Sequence, residues 1–136
     1  MPTPFSDGEV DVDAIQANVR RWMAAGLGGV VALGTNGEAA LLDDDESDRV
    51  VGAVRQEVPR DRTLIAGVGR ESTRATIAAA RRAASLGADA VLVRTPSFYR
   101  AHVPAQVLLT HYTAVAEASS VPVLLYNFPE IGRAHV

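Results

Sequence analysis

Two residue types are missing from this chain. It has no cysteine and no lysine, so all 13 basic residues among its 136 are arginine. Without cysteine, disulfides and thiolate metal sites are excluded, while the redox compartment stays open. Without lysine, no phosphate-binding loop ending in Gly-Lys can be built. Apolar runs are short, and none approaches the roughly 20 residues that span a bilayer. No signal-peptide pattern opens the sequence, so a cytoplasmic location is the expectation. Charge is nearly balanced, at a net −3. This gives no reason to expect nucleic acid or a membrane surface as a partner. Apolar residues are plentiful, at 48%, which is enough for the core of one domain.

The apolar residues are arranged with alternating periods. Val12, Ile15, Val19, Trp22 and Met23 recur at helical spacing, which predicts an amphipathic helix over Asp11–Ala25, ended by the glycines at 26, 28 and 29. Val30–Leu33 is a short apolar run of the kind that forms a strand buried in a sheet. Asp43 with Glu46 three residues on is a capping box, so a helix is expected from there to about Glu57, stopped by Pro59. The same alternation continues. A strand is predicted over Thr63–Val68, a helix capped by Ser72 over Thr73–Leu86, and a strand over Ala90–Val93. A helix from Pro104 to about Ser119 and a strand over Val121–Tyr126 complete it. The order is a helix, three strand–helix units and a strand. It predicts an α/β fold with a parallel sheet, either a barrel or an open doubly wound sheet. In both, ligands meet the carboxyl ends of the strands.

Three strand ends are polar. Gly34-Thr35-Asn36-Gly37-Glu38 offers a hydroxyl, an amide and close backbone N–H groups that could hold a carboxylate. The same segment also reads as an ordinary Asn-Gly turn. Tyr126 closes the last strand with a phenol. It is either a proton relay or a core tyrosine with its hydroxyl satisfied. Thr95-Pro96-Ser97-Phe98-Tyr99 is an aromatic loop that could pack or bind. Gly67-Val68-Gly69 lacks the third glycine of a dinucleotide fingerprint. His102 and His111 lack metal-ligand spacing and read as surface or packing residues. The acidic run Asp43–Glu46 reads as a helix start, and no metal or organic cofactor is expected.

Several segments together resemble the family of dihydrodipicolinate synthase and N-acetylneuraminate lyase. Thr3-Pro4-Phe5, with Asp7-Gly8 and Val10-Asp11, is similar to its opening segment. Gly34 to Glu38 resembles its carboxylate-binding turn, and Leu42 to Glu46 its next helix start. Thr95-Pro96 and Tyr126-Asn127-Phe128-Pro129 resemble two further signatures. The likeness implies that residues 1–130 are roughly the first half of a (β/α)8 TIM barrel, truncated at both ends. It implies a class I aldolase, a lyase that joins or splits pyruvate or a 2-oxo acid and an aldehyde through a lysine Schiff base. Members are commonly homotetramers. By the same likeness, Thr35 and Asn36 would bind the pyruvate carboxylate and Tyr126 would relay protons. Asn36, Glu71-Ser72-Thr73 and Thr110-His111-Tyr112-Thr113 look like the 4-hydroxy-2-oxoglutarate aldolase branch. Phe98 stands where the synthase has an interfacial tyrosine, which leaves the adjacent Tyr99 as a substitute.

The lysine implied by this likeness lies on a sixth strand, beyond Pro129. An imine needs a primary amine of lowered pKa on a rigid element, and only a flexible amino terminus is expected here. The chain as given is therefore expected to be inactive. Its rivals are a non-catalytic 2-oxo-acid-binding relative and an unrelated doubly wound binding domain. Residues 131–136 depart from the family pattern. One codon choice for them spells part of a common sequencing adapter, so a non-native tail is expected there.

Overall fold

The computed structural model describes residues 1–99 and 103–128. The chain opens with a two-residue hairpin, β1 (Phe5–Ser6) and β2 (Glu9–Val10), paired antiparallel. Asp7 and Gly8 both adopt positive φ between the strands, as the tightest hairpin turn requires. Helix α1 (Val12–Ala24) starts where the Asp11 carboxylate accepts the Ala14 N–H at 2.9 Å. Helix α2 (Asp44–Glu57) starts on a complete capping box. Asp43 accepts from the Glu46 N–H and Glu46 from the Asp43 N–H, both at 2.8 Å. Ser72 caps α3 (Thr73–Ser85) through the Ala75 N–H. Helix α4 (Ala105–Ala118) follows Pro104 and has no side-chain cap.

Four strands, β3 (Gly29–Ala32), β4 (Thr63–Gly67), β5 (Ala90–Arg94) and β6 (Val123–Tyr126), lie side by side in that order, all parallel. Side chains alternate across a strand, and the alternation divides the sheet. On one face Val30, Ala32, Leu64, Ala66, Val91 and Val93 are buried in one continuous core. That core also holds Ile15 and Val19 of α1, Val50 and Val54 of α2, Ala79 and Ala83 of α3, and Val115 of α4. On the other face Val31 and Leu124 stay 37% and 42% exposed, and Ile65 and Leu92 are half-buried. Helices therefore cover one face only, the arrangement of barrel units and not of an open doubly wound sheet.

The amino-terminal rim of the sheet is locked by Arg55, whose side chain is 6% exposed. Its guanidinium donates to the carbonyls of Val58, Pro59 and Gly87 and to the Asp89 carboxylate, which also accepts the Leu64 N–H at 2.8 Å. One side chain thus joins the end of α2 to the starts of β4 and β5. Several details differ from the sequence reading: β3 spans Gly29–Ala32 and not Val30–Leu33, β5 runs one residue past Val93 to Arg94, and α3 ends at Ser85, one residue before Leu86. β6 begins at Val123 and not Val121, because Pro122 has no N–H to donate. β4 closes at Gly67, although the Val68 N–H still reaches the Leu92 carbonyl at 2.9 Å. The opening hairpin, too short to show a period, was not foreseen.

Candidate functional site

β3 does not run straight out of the sheet. Leu33 turns into the left-handed region, with φ +55°, a conformation that costs an L-residue roughly 1–2 kcal/mol. Its burial and a close neighbour accompany the turn. Leu33 is buried, and its carbonyl lies over Gly67, where a Cβ would fall 1.9 Å from that oxygen. The chain then makes a single 3-10 turn, Thr35–Gly37. The Gly37 N–H returns to the Gly34 carbonyl at 2.9 Å and the Glu38 N–H to the Thr35 carbonyl at 3.1 Å. Thr3, itself buried, donates its hydroxyl to the Gly37 carbonyl at 2.7 Å and pins the turn from behind.

The turn swings Thr35 across the sheet to Tyr126. Thr35 Oγ1 and the Tyr126 hydroxyl lie 3.2 Å apart, joined by a hydrogen bond across 91 residues of sequence. The Tyr126 ring stacks on Phe128, with centroids 5.8 Å apart. A cavity of about 180 Å³ opens at this rim, lined by Leu33, Thr35, Glu38, Arg94 and Tyr126 among others. A smaller hollow of about 20 Å³ beside it is again bounded by Thr35, Arg94 and Tyr126.

Arg94 escaped the sequence reading. It ends β5 directly opposite Tyr126 in the parallel ladder. The period-two row Ala90, Leu92, Arg94 was the available signal, since it carries a cation to the uncovered face at a carboxyl end. Arg94 Nη2 lies 2.8 Å from Glu71 Oε1, and Nη1 makes long contacts of 3.3 Å to the Thr95 carbonyl and Ser97 Oγ. Glu71 also accepts the N–H groups of Ser97 and Phe98, each at 2.9 Å. Burial alone would raise the Glu71 carboxyl. The Phe98 N–H, Arg94 and the Ser97 N–H outweigh it and hold the carboxyl below its usual value.

The other anticipated residues fall elsewhere. Asn36 is exposed and does not line the cavity, although its backbone forms the middle of the turn. Tyr99 is 70% exposed and packs edge-on against Phe98, with centroids 4.9 Å apart. It borders a separate apolar hollow over α4, and the structure does not bring it to Thr35 and Tyr126. His111 is a packing residue. It is 5% exposed, its Nδ1 is 2.9 Å from Thr73 Oγ1, and burial lowers its pKa. His102 and Pro129 lie outside the described residues. Asp44, within the acidic run, pairs with Arg70 and Arg82, and Arg70 in particular holds its carboxyl low. The amino terminus is not adrift as expected. It donates to the Val31 carbonyl at 2.6 Å, and burial lowers its pKa, yet Met1 does not line the cavity.

Parallel strands in chain order, helices on one face, and a hydroxyl pair and a cation gathered at the carboxyl rim define part of a (β/α)8 barrel with its ligand-binding end. The chain belongs to the dihydrodipicolinate synthetase family, whose model matches residues 1–135. It is 44% identical over 131 residues to the 4-hydroxy-tetrahydrodipicolinate synthase of Xanthomonas campestris pv. campestris, covering 95% of this chain and 42% of that protein. It is 40% identical over 130 residues to a mitochondrial protein of Emericella nidulans named a probable 4-hydroxy-2-oxoglutarate aldolase, covering 92% of this chain and 42% of that one. The crystal structure of a chloride-inhibited dihydrodipicolinate synthase from Acinetobacter baumannii complexed with pyruvate superposes with a TM-score of 0.89 at 36% identity, over 97% of this chain and 45% of that one. The chain thus spans less than half the length of these relatives. Among the described residues no helix is long and apolar enough to cross a membrane.

Proposed function

We propose that this chain is the amino-terminal part of a cytoplasmic, homo-oligomeric class I lyase that forms a Schiff base with pyruvate or a related 2-oxo acid. The Thr35–Tyr126 hydrogen bond at the mouth of a parallel half-barrel carries this reading. The Thr35 hydroxyl, together with the N–H groups of Thr35 and Asn36 at the start of the 3-10 turn, receives the substrate carboxylate. Those two N–H groups are the ones the turn itself leaves over, since its internal bonds use Gly37 and Glu38. The amine is supplied by a lysine outside this chain, which contains none. It attacks the 2-oxo carbon, and the carbonyl oxygen leaves as water with the two protons the amine gives up. Tyr126 passes those protons, and its 3.2 Å hydrogen bond to Thr35 supports that role.

The test uses the full-length gene product with pyruvate and borohydride. A covalent adduct on a lysine outside residues 1–136 is the expected result. A full-length protein with that lysine that yields no adduct would remove the Schiff-base reading and favour a relative that binds 2-oxo acids without turning them over.

A further inference from the structure

We propose that Arg94 is a specificity-determining residue of this site, receiving a second carboxylate at the far end of the bound substrate; this rests on the 2-oxo-acid reading of the Thr35–Tyr126 mouth. Arg94 shares both hollows with Thr35 and Tyr126, and its Cα is the ladder partner of Tyr126 on the neighbouring strand. It is the one cation bordering the cavity among the described residues. A carboxylate held by the 3-10 turn has its remaining atoms directed towards β4 and β5, because Gly67 at the end of β4, Gly69 just beyond it and Leu92 of β5 line the cavity there.

The arginine is held in place and not merely near. Its stem lies across Gly69, where a Cβ would come within 2.6 Å of Arg94 Cγ and 2.7 Å of the Arg94 nitrogen. Glu71, two residues on, fixes one guanidinium nitrogen at 2.8 Å and is itself anchored by two backbone N–H groups of the β5–α4 loop. A guanidinium has five N–H donors. The strong contact to Glu71 uses one nitrogen, and Nη1 makes only the long contacts to Thr95 and Ser97. Such a group retains donors in the planar fork that suits a carboxylate. A monocarboxylate such as pyruvate needs only the turn. A longer 2-oxo acid with a carboxylate at its other end gains Arg94 as well.

A purely structural reading exists, in which Arg94 and Glu71 simply clasp two loops. The two readings differ in what Glu71→Gln does. A clasp loses its ion pair equally from either side, so Glu71→Gln and Arg94→Met would behave alike. A recognition residue is freed of a competing anion by Glu71→Gln and removed by Arg94→Met.

The experiment measures equilibrium binding of pyruvate, 2-oxoglutarate and 2-oxopentanoate to the full-length protein and both variants by calorimetry, with thermal unfolding as a check of folding. 2-Oxopentanoate matches the dicarboxylate in chain length and lacks its second charge. The wild type is expected to prefer 2-oxoglutarate by about tenfold or more, the size of one charge-assisted pair. Arg94→Met should abolish the preference, lowering 2-oxoglutarate affinity more than that of pyruvate or 2-oxopentanoate, Arg94→Lys should keep part of it, and Glu71→Gln should keep or raise it. No preference in the wild type, a preference that survives Arg94→Met, or equal losses in Arg94→Met and Glu71→Gln would each overturn the proposal. Borohydride trapping with pyruvate is a separate readout. Its failure would remove the Schiff-base reading and leave the charge preference to be judged by binding alone.

Discussion

The contact between Thr35 and Tyr126 makes a quantitative prediction. Tyr126→Phe removes one hydroxyl and leaves the ring stacked on Phe128. Thr35→Val removes the other hydroxyl at nearly constant volume. The pair is partly open to solvent, so either change should cost folding only about 1 kcal/mol or less. The effect on imine formation should be larger. A positioned proton relay contributes roughly 10²-fold or more to rate, which is about 2.7 kcal/mol of barrier. If the two hydroxyls work as one relay, removing either breaks it, and removing both breaks nothing further. Each single variant of the full-length protein should then slow borohydride-trapped adduct formation about 10²-fold at saturating pyruvate. The double variant should fall near the singles, not at the product of about 10⁴ expected of independent groups. Rapid-quench trapping followed by intact mass measurement gives the rates. Multiplying effects would refute the coupled relay. A Thr35→Val protein that needs more pyruvate yet reacts at full rate would restrict Thr35 to carboxylate binding.

Gly69→Ala should destabilise the full-length protein by about 1–3 kcal/mol, read by denaturant unfolding, because the added methyl meets backbone as well as the Arg94 stem. His111 should make the fold sensitive to mild acid. Its pKa is lowered by burial, so its contribution is intact above about pH 6.5 and declines as pH falls from there through the folded value. His111→Asn should flatten the melting temperature between about pH 7 and pH 5, and an unchanged slope would assign the acid sensitivity to other groups. The 136-residue chain alone should self-associate as its concentration rises in sedimentation velocity, since Val31 and Leu124 leave an apolar sheet face uncovered. A sharp unfolding transition from a stable monomer would contradict this.

The elements that were readable in the sequence are those specified locally. The capping box at Asp43 and Glu46 and the Ser72 cap mark helix starts because each involves residues three apart. The strands were visible as short apolar runs. The convergence of Thr35 and Tyr126 could be anticipated only through the rule that parallel strands bring their carboxyl ends to one rim, since nothing local links residues 91 apart. Arg94 was missed for a related reason. In sequence it is a charge after Val93 whose period-two row hints at its face, and the ladder is what sets it opposite Tyr126. Its fixation by Gly69 and Glu71 depends on contacts from the neighbouring strand's loop. Asn36 illustrates the reverse. Its motif drew attention to the side chain, which is exposed and does not line the cavity, while its backbone forms the middle of the turn.

Arg55 works at the opposite rim from the mouth. By joining the end of α2 to the starts of β4 and β5, it secures the sheet without involving any residue that borders the cavity. If Arg94 and Glu71 set substrate choice as proposed, they can be substituted while the opposite clamp still ties α2 to β4 and β5. The barrel end proposed to bind and the barrel end that holds share no residue, so a change of specificity at the one leaves the contacts of the other intact.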